Sequence, residues 1–108
     1  RIFYYTIMYY QIVPAKIENK RHLNLFIHPR SEGMKQILQL NVMNPLISLI
    51  LVFYDLRETE MPYTEAELGC WDKRIIQIPI NRTMTYEDAI NYSNVVSCVG
   101  YNLIVFEN

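Results

Sequence analysis

Four short apolar runs, each closed by a polar or charged residue, constrain this chain more than any other feature. They read His22–His28, Ser48–Asp55, Arg74–Ile80 and Asn102–Glu107, with helix-like segments after the first and the third. Runs of this length bounded by turn residues read as strands, and strands alternating with helical segments build a parallel α/β sheet. In such a sheet ligands bind outside the carboxyl ends of the strands. Arg30, Asp55, Arg82 and Asn108 stand at those ends in the sequence, so the expected site is a rim.

A chain of 108 residues, 51% of them hydrophobic, suits one small domain with a single core. Its net charge is −1 and the two signs are interspersed, which gives no electrostatic footprint for nucleic acid. The opening stretch from Arg1 to Val13 holds four of the nine tyrosines. It is too short for a membrane span, which takes about 20 apolar residues, and no small-residue cleavage site follows it. It reads as an extra strand or an apolar flank. The missing initiator methionine points to a fragment or a processed product. Residues 1–21 are therefore expected to form a flank and a polar connector, and residues 22–108 an α/β domain.

Along the domain, Met34, Ile37, Leu38 and Val42 recur at helical spacing between Ser31 and Met43, with Ser31 as N-cap and Pro45 as stop. Gly33 in the first turn weakens that helix by about 1 kcal/mol relative to alanine. The nearly continuous apolar run from Ile47 to Tyr54 predicts a central strand covered on both faces. The polar stretch after Asp55 carries Thr64 and Glu67 at capping-box spacing, which predicts a short acidic helix or turn. Proline in Arg74–Ile80 predicts a more exposed strand. Thr85 and Asp88 have capping spacing at the start of a second helix, with Ala89, Ile90, Tyr92 and Val96 on its buried side. Gly100 closes that unit and the last strand follows.

None of these segments contains a self-sufficient catalytic motif: there is no glycine-rich phosphate loop, no nucleophile elbow and no histidine pair at metal spacing. Cys70 and Cys98 lie far apart and read as small buried hydrophobes. The acidic run after Asp55 reads as a solvated face. Two glycosylation triplets, Asn81-Arg82-Thr83 and Asn91-Tyr92-Ser93, are the only hint of a secretory route, and such triplets arise by chance in a chain with nine asparagines.

Beyond composition, Asn44-Pro45-Leu46-Ile47, Leu51-Val52-Phe53-Tyr54-Asp55, Arg82-Thr83-Met84-Thr85-Tyr86-Glu87-Asp88 and the final Leu103-Ile104-Val105-Phe106-Glu107-Asn108 stand in an order that resembles the amino-terminal half of GT-A-type, nucleotide-sugar-dependent glycosyltransferase-like proteins. The resemblance spans roughly residues 22–108. It implies a three-layer, Rossmann-like, mostly parallel sheet that is incomplete here. It also implies a nucleotide near Asp55 and Arg57, Arg82 turned toward a phosphate or ribose, and Asn108 beside the position of the metal ligand. The family's segment opening the second helix has one residue fewer between arginine and the Thr-Tyr pair. The sequence stops at Asn108, before the aspartate with which such enzymes hold a divalent cation that neutralises the leaving diphosphate. No residue of this chain is thus expected to be catalytic and no cofactor is expected in it; manganese or magnesium belongs to a complete parent.

The leading expectation is an incomplete sugar-transferase domain that binds a nucleotide-sugar and is inactive alone. The alternative is a small non-catalytic α/β module that binds a partner chain or itself through an exposed sheet edge. The last strand, at the end of the chain, is expected to be such an open boundary.

Overall fold

A computed structural model describes residues 8–15, 22–97 and 99–107. Its elements, in chain order, are β1 (Met8–Pro14), β2 (Leu23–Ile27), α1 (Glu32–Val42), β3 (Ile47–Asp55), α2 (Glu65–Leu68), β4 (Ile75–Ile80), α3 (Tyr86–Val96) and β5 (Tyr101–Glu107). The strands form one sheet in the order β1-β5-β2-β3-β4. Strands β5, β2, β3 and β4 are parallel, and β1 joins the outside of β5 antiparallel, from Met8 opposite Glu107 to Pro14 opposite Tyr101. The apolar opening stretch thus supplies a fifth strand, and β5 is an interior strand, not the open boundary expected from its place in the chain. Its neighbours come from residues about 80 and 90 positions away, which local sequence patterning does not reveal.

Three layers follow from the two-residue alternation of side chains along each strand. One face carries Leu25, Ile27, Ile50, Val52, Ile75 and Val105, covered by Met34 and Leu38 of α1 and Leu68 of α2. The other carries Phe26, Leu51, Phe53 and Ile104, covered by Ala89 of α3 with Ile90 and Tyr92 at its margin. Residues Ile50 to Asp55 of β3 are all buried, as the continuous apolar run predicted. Complete burial of each such Leu, Ile or Phe contributes about 1.5–3 kcal/mol. The mostly parallel α/β architecture expected from the sequence is therefore the one observed, with one antiparallel edge.

The helix ends also follow their sequence signals. Ser31 Oγ accepts from Met34 N–H at 3.2 Å to open α1. Both capping boxes close: Thr64 and Glu67 exchange bonds of 3.0 and 3.1 Å, Thr85 and Asp88 of 3.1 and 3.2 Å. One expectation is corrected on α3. Val96 is 41% exposed and Ser93 is fully buried in its place, because the Ser93 hydroxyl donates to Ile90 O at 2.7 Å and enters the interior already satisfied.

From β2 the chain steps through α1 to β3 and through α2 to β4, always in one direction and on one face. Helix α3 then carries it back over the opposite face to β5, on the far side of β2. The winding therefore reverses between β2 and β5, and the crevice of a doubly wound sheet lies outside the carboxyl ends of those two strands.

Candidate functional site

Register places the carboxyl ends along one rim. Ile27 is level with Val52 and with Val105, and Asp55 is level with Ile80. Segment His28-Pro29-Arg30, the turn Asp55–Glu58 and the bend at Asn81 and Arg82 all project from this rim. Of the four expected nucleotide-binding residues, Asp55, Arg57 and Arg82 lie on it. Asn108 lies outside the described residues.

Two tripeptides of the pattern Asp-x-Arg show what distinguishes this rim. In Asp55-Leu56-Arg57 the arginine N–H donates to Asp55 Oδ1 at 2.9 Å, and Arg57 Nε reaches the same oxygen at 3.0 Å. In Asp72-Lys73-Arg74, at the opposite, amino end of the sheet, the equivalent bonds are 2.9 and 2.8 Å. Local geometry is the same because an aspartate bonded to the backbone two residues on forms a turn whatever follows it.

Their surroundings differ. Arg74 Nη1 donates to Asn44 O and Ile47 O, both at 2.7 Å, and its Nη2 donates to Val42 O. It thereby binds the last carbonyl of α1, where a cation also meets the favourable end of the helix dipole, together with one in the turn that follows and the first of β3. Its side chain is 17% exposed. Arg57 is 48% exposed against an Asp55 carboxylate that is 1% exposed. Arg57 Nη2 bridges to Thr83 Oγ1 at 3.1 Å, tying the β3 turn to the loop after β4, and Arg57 Nη1 has no hydrogen-bond partner among the described residues. The chain thus has one arginine whose terminal donors are consumed by the fold and one whose orientation is fixed with a donor left over.

The Arg57 side chain, then its backbone N–H, hold the Asp55 carboxyl well below the usual carboxylate range, with His28 adding to the effect. Asp55 therefore stays ionised and serves as an anchor for Arg57, not as a proton donor. Arg82 is 71% exposed and leans on Asp88 at 3.3 Å. The Asp88 carboxyl is lowered first by its bonds to Thr85, so capping is its main work and the contact with Arg82 is secondary.

Beside Arg82 the surface opens into a groove of about 600 Å³ between the carboxyl end of β4 and α3. Its apolar wall includes Leu56, Pro79, Met84, Tyr92 and Val95. Tyr92 is braced edge-on against Phe53, with ring centroids 5.3 Å apart.

Toward β2 the rim carries a second, looser pair. Arg30 Nη2 donates to Glu58 Oε1 at 2.8 Å, and both side chains are 45% exposed. The sequence had placed Arg30 at a strand end without giving it a partner; Glu58 is a residue that sequence reasoning passed over as part of a solvated acidic run. Burial raises the phenol of nearby Tyr63, with Glu58 reinforcing that effect and Arg30 opposing it.

Among the described residues no other reactive group is assembled. Burial pushes the Cys70 thiol up, which keeps it from acting as a thiolate; Cys98 lies outside the described residues. Among the described residues no group of three His, Cys, Asp or Glu side chains is placed to hold a metal ion, and no helix is long and apolar enough to cross a membrane.

Edge pairing is also constrained at β4. Ile80 O accepts from Leu56 N–H and Arg74 O from Ile50 N–H, so Ile75, Gln77 and Pro79 turn their backbone polar groups away from β3. Pro79 has no N–H and the Ile75 N–H is taken by Asp72 O at 3.1 Å. Only Gln77 can donate outward, which makes β4 a poor template for an added strand.

The chain matches no protein-family profile, no curated protein and no solved structure.

Proposed function

We propose that the carboxyl rim binds a nucleotide-sugar, and that the chain is the nucleotide-binding part of a GT-A-like glycosyltransferase with no catalytic activity of its own. The observation that carries this reading is the spare donor of Arg57, aimed by a buried Asp55 at the carboxyl end of a parallel sheet. A guanidinium held in place loses little freedom on meeting a phosphate or a ribose hydroxyl, and its Nη1, without a partner among the described residues, can donate to either in a charge-assisted bond. Arg82 supplies a second, freer guanidinium for a phosphate or ribose oxygen. The groove beside it, about 600 Å³ in volume, falls in the range of small-molecule sites and offers an apolar wall to a base or sugar ring. In transferases of that kind a divalent cation neutralises the leaving diphosphate during sugar transfer.

Isothermal titration with uridine and guanosine diphosphates tests the reading. Saturable binding is expected, and Arg82→Ala should weaken it by more than about 1 kcal/mol, roughly five-fold, as for a charge-assisted contact. A chain that binds neither nucleotide has instead the character of a non-catalytic interaction module.

A further inference from the structure

We infer that Arg30 is a phosphate-binding residue of this rim and that Glu58 is the built-in competitor that a phosphate displaces. The inference rests on the nucleotide reading above and adds the direction in which the ligand lies. The crevice of this sheet is between β2 and β5, where the winding reverses. Arg57 and Arg82 stand farther from it than β2 does, since Arg57 reaches Thr83 in the loop after β4, and Arg82 follows β4 itself. Two strand spacings, about 10 Å, separate β4 from β2. A nucleoside held near β3 and β4 therefore sends its diphosphate toward β2, and the arginine there is Arg30.

The pair that Arg30 makes is of a kind that opens. Both side chains are 45% exposed and a single N–H···O bond of 2.8 Å joins them. Such solvated pairs are worth little, because water screens them and two long side chains must be held in one geometry. Asp55 and Arg57 behave differently: the carboxylate is buried and receives three bonds from the guanidinium. A phosphate arriving at the rim thus finds one arginine fixed and one exchangeable. It carries more charge and more acceptor oxygens than the Glu58 carboxylate and can take the Arg30 fork in its place. Arg30 is held within reach by its own backbone, whose N–H donates to His28 O at 2.9 Å, and by Pro29, which is buried.

Titration with inorganic pyrophosphate and with uridine diphosphate tests the assignment on the intact chain, its Arg30→Ala variant and its Glu58→Gln variant. Arg30→Ala is expected to weaken pyrophosphate binding at least five-fold, and Glu58→Gln, which removes the competitor and leaves the arginine, to tighten it at least two-fold. Pyrophosphate binding that is absent in the intact chain, or unchanged by both substitutions, overturns the role of Arg30. Should Arg30→Ala fail to fold, Glu58→Gln decides alone: tighter binding supports the assignment and unchanged or weaker binding overturns it. Pyrophosphate binding that depends on Arg30 while uridine and guanosine diphosphates bind no more tightly than pyrophosphate upholds the anion site and contradicts the nucleotide reading.

Discussion

The two ends of this sheet use the same Asp-x-Arg pattern for opposite purposes. At the amino end, Asp72-Lys73-Arg74 buries its guanidinium among three backbone carbonyls and so joins α1, the turn before β3 and the start of β4. At the carboxyl end, Asp55-Leu56-Arg57 keeps the same turn and the same ion pair but leaves the guanidinium at the surface. What separates a structural arginine from a candidate binding one is the number of donors the fold consumes, not the local motif. The amino end follows this pattern elsewhere too. Asn24 Nδ2 donates to Ser97 Oγ at 2.7 Å and Asn102 Oδ1 at 3.2 Å, and the backbone of Tyr101 closes on His22 O at 2.8 Å.

If that contrast holds, Arg74→Ala has the largest effect on stability. It removes the guanidinium donors from the carbonyls of Val42, Asn44 and Ile47 and from the Asp72 carboxylate, a loss of about 3 kcal/mol for bonds to a charged group, readable as a lower urea midpoint with an unchanged slope. Arg74→Ala unfolding at the parent's midpoint would break the comparison at its amino end.

Gly100→Ala should come next. Gly100 has φ +96°, and a Cβ there would stand 2.3 Å from His22 O, a backbone atom that cannot swing aside. A cost of about 2 kcal/mol is expected from the strained dihedral together with the clash, measurable by thermal unfolding.

The pH response sharpens the comparison. The Arg74 side chain and then its backbone N–H bring the Asp72 carboxyl from an ordinary 3.8 down to about 2. A carboxylate depressed on folding stabilises the folded chain above its unfolded value and loses that contribution as pH falls through the folded one. Stability should therefore drop between pH 3.8 and about 2 in the parent, and Asp72→Asn should flatten that part of the profile. A profile unaltered by Asp72→Asn would show that the pair is not formed in solution.

Arg57→Lys, which keeps a cation beside the buried Asp55 carboxylate but removes the guanidinium fork, is expected to have the smallest effect on folding of these substitutions and a clear one on ligand binding. Its urea midpoint should stay close to that of the parent while affinity for uridine diphosphate falls at least five-fold. A variant that loses stability as Arg74→Ala does would place Arg57 among the structural arginines.

Much of the layered fold was legible because its signals are local. The apolar run of β3, the capping pairs Thr64–Glu67 and Thr85–Asp88, and the helical spacing of Met34 and Leu38 each lie within one element. Arg74 was not legible as a structural hub, since the carbonyls it binds are 27 to 32 positions away. Nor was the interior place of β5, which depends on a strand at the other end of the chain. For the site, the rim positions of Asp55 and Arg82 followed from strand ends alone. That Asp55 is spent on Arg57, and that Glu58 occupies Arg30, are facts of side-chain geometry that no spacing rule encodes.

The most direct test of the contrast between the two ends is a titration of the nitrogen-15-labelled chain with uridine diphosphate, followed by two-dimensional NMR. The expected result is that the amides and guanidinium Nε–H groups of Arg30, Arg57 and Arg82 shift in a saturable way while those of Arg74, Gly100 and Asn102 stay in place. Shifts that are absent at the carboxyl rim, or that gather at the amino end, would contradict the account.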